Sequence, residues 1–425
     1  MLAYRALVGR FSIKRFISTL SERRRLIDEL AAGSSDPPPS QLLPLTLSEA
    51  EVIHKTENYI GCVPYPVGLC GPLTVNGSEL YVPMATLEGA LVASYNRGSK
   101  IISESGGAIS ICYDDYITRA TLFSCKGLRE AAALASWVRA HKNSLEAVVN
   151  AADPYANCGR IWVGLAGSEV MVNFEMTTGE ANGSNMGSKA ARDMGEYIAA
   201  HSRLVTREEM FAVLPEDKRA IPNRMKGKKV VAQTTIDGTL LKEMTRATPT
   251  HFVDYVTTFK KFQALGGGDT LNAHAVNGMT AMMIAFGQDV AYVGDCKAIL
   301  DSRVVGANHL QVSLTIPNLF IGTIGGGTGL PAFRANLAMV GCMPQLTDKT
   351  LRETESWEDE PHDCPVDREQ LLDNAEDDFS TDKQSNCTKK LAEIMAAVML
   401  AGEVSICAAM CSHEFIRAHE TMGKN

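Results

Sequence analysis

Apolar and polar positions alternate in two rhythms between residues 122 and 212. Residues 160–165 and 170–176 alternate with a period of two, which predicts strands. Residues 128–139 and 187–201 repeat at helical spacing, which predicts amphipathic helices. Strands and helices mixed on this scale are typical of a small α+β domain inserted in a larger one.

Beyond residue 228, strands alternate with long apolar helices. Residues 274–288 and 389–419 carry the strongest helical patterns, and they contain the apolar runs 278–287 and 394–402. Both runs are shorter than the about 20 residues that a bilayer requires. We therefore expect buried core helices and no transmembrane segment.

Two segments depart from this alternation. Residues 1–42 end in a proline-rich break, and their first 21 residues are rich in arginine and contain no acid. That composition fits a mitochondrial transit peptide and a basic, frayed extension equally well. Residues 347–385 are acidic and lack apolar periodicity, which predicts a solvated surface insertion or a disordered loop. The predicted division is an extension (1–42), a large domain (43–121 and 213–425) and a small domain (122–212).

Composition excludes several classes of protein. With 425 residues, 45% of them hydrophobic and 21% charged, the chain is long enough for two or three domains with a real core. The formal net charge of -8 argues against nucleic acid as the main partner, although a local basic pocket remains open. The 11 cysteines are odd in number and include no C-x-x-C pair, so we expect reduced thiols and no zinc site.

Two glycine-containing segments are candidate ligand loops. Residues 322–329 follow an apolar, strand-like run, and adjacent glycines let backbone amides approach a phosphate. The segment is not the G-x-G-x-x-G fingerprint, so a plain glycine-rich turn stays open. Residues 179–187 precede a predicted helix, where small residues suit a phosphate at the helix N-terminus. A simple N-cap and turn is the alternative there.

Five charged or titratable residues are candidates for chemistry, each with a structural alternative. Glu88, among small and apolar residues, is either a desolvated proton donor or a capping carboxylate. Lys218, in a proline-bounded loop, is either an oxyanion stabiliser or part of a solvated charge run. Asp289, at the end of an apolar helix, is either buried and paired or turned to solvent. His413 and His419 are general-acid candidates or exposed residues of the tail.

The order and wording of these segments resemble the catalytic domain of class I 3-hydroxy-3-methylglutaryl-coenzyme A (HMG-CoA) reductases over about residues 45–425. The matching blocks are residues 57–61, 64–68, 71–73, 83–89, 91–94, 96–98, 178–186, 272–277, 287–289, 322–328, 401–403 and 417–419. The resemblance implies an α/β (α+β) fold. It would have a large substrate domain with long central helices and an inserted small, ferredoxin-like cofactor domain.

The resemblance also implies a reaction: the NADPH-dependent, four-electron reduction of a CoA thioester, (S)-HMG-CoA, to mevalonate in isoprenoid and sterol synthesis. Lys218 would stabilise the oxyanion formed at each hydride addition. Glu88 would supply a proton to the aldehyde oxygen, and Asp289 would keep Lys218 charged and Glu88 protonated. His419 would protonate the departing CoA thiolate.

Binding residues are implied in the same way. The substrate contacts would be Asp217, Arg219, Asn277, His274 and Arg97. The cofactor contacts would be Glu180, Asn182, Gly183, Asn185, Met186, Gly325, Gly326 and Gly327. No metal is implied. The active site would be shared between subunits of a homodimer or tetramer, in a soluble protein of the mitochondrion or cytoplasm.

Four departures from the family pattern leave alternatives open, and one of them is that residues 211–216 lack the family's Ser and Asn. Ser124 falls near the place of a family arginine, and in residues 259–269 Lys260 or Lys261 would stand for the substrate lysine. Asp153 lies where the family tends to hold the 2′-phosphate of NADPH, which favours NADH instead. The alternatives are a related acyl-CoA thioester oxidoreductase with altered substrate or NADH preference, and a non-catalytic homologue.

Overall fold

The computed structural model describes residues 19–30, 37–52, 54–211, 226–268, 272–344 and 386–412. Five of the candidate residues lie outside these ranges, namely Asp217, Lys218, Arg219, His413 and His419. The start of the predicted extension, up to residue 18, and the acidic insertion lie outside them as well. The chain forms two compact units, Met1–Pro66 and Val67–Asn425.

The first unit is built on two arginines of its first helix. Arg23 Nε donates to the carbonyl oxygen of Tyr59 at 2.9 Å, and Arg24 Nη1 donates to that of Ile60 at 2.6 Å. These bonds hold the family-like segment 57–61 against the helix. The helices of this unit are α1 (Leu20–Leu30), α2 (Pro39–Leu42) and α3 (Glu49–Val52).

The second unit combines sheets with helices. Its strands are β1 (Val67–Val75), β2 (Ser78–Ala85), β3 (Ile109–Ser124), β4 (Asn157–Ala166), β5 (Glu169–Thr177), β6 (Met210–Phe211), β7 (Gly227–Asp237), β8 (Ile299–Val305) and β9 (His309–Leu319). Its helices are α4 (Leu91–Glu104), α5 (Leu128–Ala140), α6 (Lys142–Ala152), α7 (Ser184–Ser202), α8 (Gly238–Thr245), α9 (Pro249–Leu265), α10 (Ala275–Ala285), α11 (Pro331–Met339) and α12 (Cys387–Cys411). Short 3-10 turns lie at Arg207–Glu209, Val290–Gly294 and Gly326–Gly329.

Strand β3 runs through both parts of the larger sheet. The strand order is β4-β5-β3-β7-β9-β8, with β6 beside β3, while β1 and β2 form a separate antiparallel pair. Residues 117–124 of β3 pair with β5, and residues 109–116 pair with β7. The strands predicted at 160–165 and 170–176 are confirmed as β4 and β5, and the helices predicted at 128–139 and 187–201 as α5 and α7.

Helix α12 is the centre of the core. It is long and apolar enough to cross a bilayer, but 83% of its apolar 18-residue stretch is buried inside the protein. The prediction that residues 394–402 form a buried core helix is thus confirmed. The predicted helix 274–288 is shorter than expected, because α10 ends at Ala285 and Gly287 adopts a left-handed φ of 68°.

Helices α4, α10 and α12 meet at Tyr95, and we call this contact the three-helix core. The Tyr95 hydroxyl donates to the carbonyl oxygen of His274 at 2.7 Å and accepts from the Gly278 amide at 2.9 Å. A Cβ atom on Gly98 would lie 1.8 Å from the carbonyl oxygen of Ala401. The helices therefore approach to a distance that only glycine allows.

A buried carboxylate caps helix α10 from a neighbouring helix. Glu403 of α12 accepts hydrogen bonds from the amides of Ala273, His274 and Ala275 at 3.0, 2.7 and 2.6 Å. These amides have no partner within the helix, so the carboxylate satisfies them. Burial raises the pKa of Glu403, whereas the three amides act in the opposite direction.

Candidate active site

Three segments that are distant in sequence form one cleft of about 160 Å³, which we call the three-segment cleft. It is lined by Asn182, Gly287, Gln288, Asp289, Gly322, Ile324, Gly325, Gly326, Gly327 and Thr328. All three segments belong to blocks that the sequence singled out. Within the described ranges, no cluster of three or more His, Cys, Asp or Glu side chains is arranged to hold a metal ion.

Glycine allows these segments to touch. A Cβ atom on Gly322 would lie 2.6 Å from the backbone nitrogen of Asn182, and one on Gly327 would lie 2.8 Å from the carbonyl oxygen of Gly287. Both neighbours are backbone atoms, which cannot rotate away as a side chain would. The cleft therefore requires glycine at these positions, and its walls present backbone groups to any ligand.

Glu180 joins the cleft to the start of helix α12. Its carboxylate accepts from the Cys387 amide at 2.7 Å, and from the Thr388 amide and hydroxyl at 2.9 and 2.6 Å. It also accepts from the Thr323 hydroxyl at 2.5 Å. The carboxylate thus caps helix α12 and holds residues 322–328, which we call the glycine loop. The contact with a cofactor that the sequence predicts for Glu180 stays a prediction.

The N-terminus of helix α7 forms one side of the cofactor candidate region. Gly183 has a left-handed φ of 79° and turns the chain into the helix. The Ser184 hydroxyl next to it accepts from Arg119 Nη2 at 2.8 Å and from the Tyr292 hydroxyl at 3.2 Å. Arg119 is buried on β3 and was not among the predicted site residues. A buried arginine cannot be recognised in an alternating strand pattern alone.

The side chains of Asp289 and Glu88 are both exposed. Of the two alternatives for Asp289, the structure has the exposed one: Gly287 turns the chain outward, and Asp289 caps a 3-10 turn by accepting from the Ala291 amide at 3.0 Å. Glu88 is also exposed rather than desolvated in the single chain. Its Oε2 accepts from Asn277 Nδ2 at 3.4 Å. The structure thus brings together Glu88 and Asn277, two of the predicted residues.

Arg97 and His274 lie within the three-helix core. Arg97 donates to the hydroxyl and the carbonyl oxygen of Ser405 at 3.0 and 2.9 Å, which joins α4 to α12. His274 is buried, and its ring lies 4.9 Å from that of Tyr95. Their predicted contact with substrate stays a prediction, whereas their contribution to helix packing is direct.

The residues that depart from the family pattern are placed as follows. Lys260 Nζ lies 2.6 Å from Asp301 Oδ1 at the surface, and Ser124 Oγ donates to Glu169 at 2.6 Å. Asp153 Oδ1 accepts from the Tyr155 amide at 3.0 Å. The Tyr155 side chain lies 4.0 Å from the place of a Cβ atom on Gly179, so the turn of Asp153 borders the segment that leads into the cleft.

The predicted cofactor residues beside Gly183 are half-buried or exposed. Asn182 is half-buried and its Oδ1 accepts from the Ser184 amide at 3.1 Å, Asn185 is exposed, and Met186 is half-buried against the core. Gly325 and Gly326, with φ of 89° and 56°, would each leave a Cβ atom without a neighbour within 4 Å. Their outward side is open, as a ligand site requires.

Known proteins match the chain along most of its length. The model of the family described as hydroxymethylglutaryl-coenzyme A reductase matches residues 19–424. A 3-hydroxy-3-methylglutaryl-coenzyme A reductase from Pyrococcus abyssi is 32% identical over 381 residues, which cover 87% of this chain and 84% of the relative. Reductase 1 of Aspergillus fumigatus is 32% identical over 373 residues, covering 85% of this chain and 30% of that longer protein.

A solved structure shows the same fold. The class II 3-hydroxy-3-methylglutaryl-CoA reductase from Streptococcus pneumoniae, solved with NADPH bound, superposes with a TM-score of 0.63 at 18% identity and covers 94% of this chain and 89% of that one. The chain is 32% identical to the fungal reductase and 18% identical to this class II reductase, which agrees with the class I type that the sequence predicts. The chain therefore belongs to the HMG-CoA reductase family.

Proposed function

We propose that this protein is an HMG-CoA reductase, which carries out the NADPH-dependent, four-electron reduction of (S)-HMG-CoA to mevalonate and CoA for isoprenoid and sterol precursor synthesis. The observation that carries the proposal is the three-segment cleft, in which the exposed Asp289 meets two glycine-lined walls in a chain of this family. The alternatives are a related acyl-CoA thioester oxidoreductase and a non-catalytic homologue.

The residues of the cleft fit a dinucleotide. Side chains at Gly322 or Gly327 would collide with the backbone of the facing segment, so glycine at these positions lets the walls of the cleft come together and present backbone groups. Helix α7 begins at Ser184, two residues after Asn182 of the cleft, and amides at a helix N-terminus stabilise negative charge. Asn182 and Gly325–Thr328 would hold NADPH, which supplies the hydride when bound.

The protein's own groups would stabilise charge and move protons at the substrate. An oxyanion develops on the reacting carbonyl at each of the two reduction steps, and Lys218 would stabilise it, with Asp289 keeping the lysine charged. Glu88 would donate a proton to the aldehyde oxygen, oriented by the amide of Asn277. His419 would protonate the CoA thiolate as it leaves.

The exposure of Glu88 and Asp289 supports a shared active site in a homodimer or tetramer. Catalytic electrostatics are strongest where water is excluded, and a single chain leaves both carboxylates in solvent. Leu87, next to Glu88, is 71% exposed and would be an apolar contact for a partner subunit in the proposed oligomer. Light scattering should give a dimer or tetramer, and Leu87→Asp should weaken both assembly and turnover. A fully active monomer would contradict the shared site.

We further propose that the protein is soluble and works in the cytosol or the mitochondrial matrix. The archaeal relatives and the arginine-rich, acid-poor first 21 residues support this. Imaging of a fluorescent fusion to residues 1–42 separates the two compartments, because only a transit peptide would carry the fusion into mitochondria.

Turnover is the test of the proposed function. The purified full chain is supplied with HMG-CoA and either NADPH or NADH, and the loss of nicotinamide absorbance is followed. We expect turnover that Lys218→Ala abolishes, and the ratio between the two cofactors decides whether Asp153 favours NADH. Turnover with a different acyl-CoA alone would establish the related oxidoreductase. Absence of turnover from a folded oligomer that binds both ligands would establish a non-catalytic homologue.

A further inference from the structure

One side chain in the three-segment cleft binds the backbone of another segment. Gln288 Oε1 accepts from the Gly322 amide at 3.0 Å, and Gln288 Nε2 donates to the Gly322 carbonyl oxygen at 2.8 Å. The same Nε2 donates to the carbonyl oxygen of Phe286 at 3.1 Å. The carboxamide therefore pairs with Gly322 as a neighbouring strand residue would, using a donor and an acceptor at once.

Gly322 is held on its other side as well. The next residue, Thr323, donates from its amide to the Glu180 carbonyl oxygen at 2.8 Å and from its hydroxyl to the Glu180 carboxylate. A Cβ atom on Gly322 would meet the backbone nitrogen of Asn182 at 2.6 Å. The start of the glycine loop is thus fixed between two walls of the cleft, and Gln288 provides the attachment on the Asp289 side.

The consequence concerns Asp289, the next residue along the chain. Its carboxylate is exposed, and its own hydrogen bond, to the Ala291 amide, lies within its turn. The position of Asp289 relative to residues 322–328 therefore depends on the attachment of the neighbouring residue. Gln288 is half-buried at the edge of the cleft and is not part of the hydrophobic core.

We propose that Gln288 is a positioning residue, which fixes the distance between the turn of Asp289 and residues 322–328. Dinucleotide binding to these residues would therefore also determine where the Asp289 carboxylate lies. This inference rests on the proposed function. It assigns a role that acts through Gly322 and Asp289, without contact between Gln288 and the reacting atoms.

The first test is Gln288→Met, which keeps the length and volume of the side chain and removes both hydrogen bonds to Gly322. We expect the dissociation constant for NADPH to rise roughly tenfold and kcat to fall by a similar factor, because two net hydrogen bonds position the loop. The melting temperature should also fall, because the buried backbone groups of Gly322 lose a partner, so NADPH affinity and kcat are measured well below the unfolding transition. Unchanged NADPH affinity and kcat would overturn the proposal, because they would make the attachment dispensable.

The second test uses protonation to restore the bonds. In Gln288→Glu the protonated acid can donate to the Gly322 carbonyl and accept from its amide, as the carboxamide does, whereas the ionised form has no donor and faces the carbonyl oxygens of Gly322 and Phe286. NADPH affinity should be close to that of the wild type at acid pH and fall roughly tenfold as pH rises through about 5–8. The other carboxylates of the region, Asp289 and Glu180, are present in every variant compared.

Controls separate this inference from the proposed function. Gln311→Glu places the same charge on strand β9, outside the cleft, where the half-buried Gln311 accepts from Arg303 at 2.7 Å, and should leave the pH profile of NADPH binding unchanged. A profile shared by wild type and Gln288→Glu would overturn the proposal. A wild type that binds NADPH without reducing HMG-CoA would contradict the proposed function alone, because the affinity series still reports on Gln288. A wild type without NADPH affinity would contradict both.

Discussion

The three-helix core and the three-segment cleft use glycine in the same way for different ends. In the core, a Cβ atom on Gly98 would meet the backbone of Ala401 at 1.8 Å, and the space around the contact is filled by helix α12. In the cleft, a Cβ atom on Gly322 would meet the backbone of Asn182 at 2.6 Å, but the opposite side opens on a space of about 160 Å³. Close approach that is filled on every side gives stability, and close approach with one open side gives a ligand site.

The two regions also differ in the burial and hydrogen bonding of their carboxylates, Glu403 in the core and Asp289 in the cleft. Glu403 in the core is fully buried and accepts three helix amides, whereas Asp289 in the cleft is exposed and accepts one amide of its own turn. Substitutions in the core should therefore change the free energy of unfolding. Substitutions in the cleft should change ligand affinity and turnover in a protein that still folds.

The largest expected effect is in the core. Gly98→Ala should lower the free energy of unfolding by about 4 kcal/mol or more, because the methyl group overlaps the backbone of Ala401 and helices α4 and α12 must separate. Urea unfolding measures the change. Gly159→Ala, with no atom within 4 Å of the added Cβ, is the matched control and should remain near wild type. A stable Gly98→Ala protein would contradict the close packing of these helices.

The next effect is in the cleft. Gly322→Ala should weaken NADPH binding about a hundredfold, since the methyl group displaces the backbone of Asn182 from the glycine loop. Calorimetry measures the affinity, and the melting temperature should fall only modestly. Gly329→Ala, whose Cβ has open space, serves as control. Equal affinity of the two variants would remove the role of this contact.

Tyr95→Phe should have a smaller effect on stability alone. It removes the hydroxyl that accepts from Gly278 and donates to the carbonyl of His274, and leaves both backbone groups buried. The free energy of unfolding should fall by about 1–3 kcal/mol. NADPH affinity below the melting transition should be unchanged. A large loss of affinity without loss of stability would contradict the claim that the three-helix core stabilises the fold and does not bind the ligand.

Glu403→Gln should lower stability by a constant amount, because an amide NH2 cannot accept from the Ala273 amide, and the smallest effect considered is the change it causes in the dependence of stability on pH. Burial raises the pKa of Glu403, so the folded state binds its proton more tightly than the unfolded state, whose value is about 4.3. This contribution is present below that value and is lost as pH rises through the folded pKa, at most about 1.4 kcal/mol per pH unit. The variant lacks this loss. Identical slopes of unfolding free energy against pH would contradict the raised pKa.

The sequence predicted elements with strong periodicity and missed interactions between distant segments. The alternation at 160–165 and 170–176 marks β4 and β5 because one face of each strand is buried, as at Val172 and Phe174. The apolar run 394–402 marks a core helix for the same reason. No local pattern reveals that Glu180 caps a helix that begins at Cys387, because the partners are 207 residues apart.

The sequence predicted which segments form the candidate site, but it did not predict how they are arranged in space. Asn182, Asp289 and the glycines 325–327 do line one cleft, which follows from segments whose roles the family resemblance implies. The sequence left the exposure of Asp289 open, since the apolar run before it favours burial and one glycine, Gly287, decides the direction of the chain. Gln288 was not singled out, because a glutamine beside a charged candidate has no local signature.

A crystal structure of the protein with NADPH is the most direct test of the central claim that the three-segment cleft holds the dinucleotide. We predict electron density for NADPH against Asn182 and residues 325–328, with Asp289 at the edge of the same cleft. Density for NADPH elsewhere, with residues 322–328 packed against protein alone, would contradict this account.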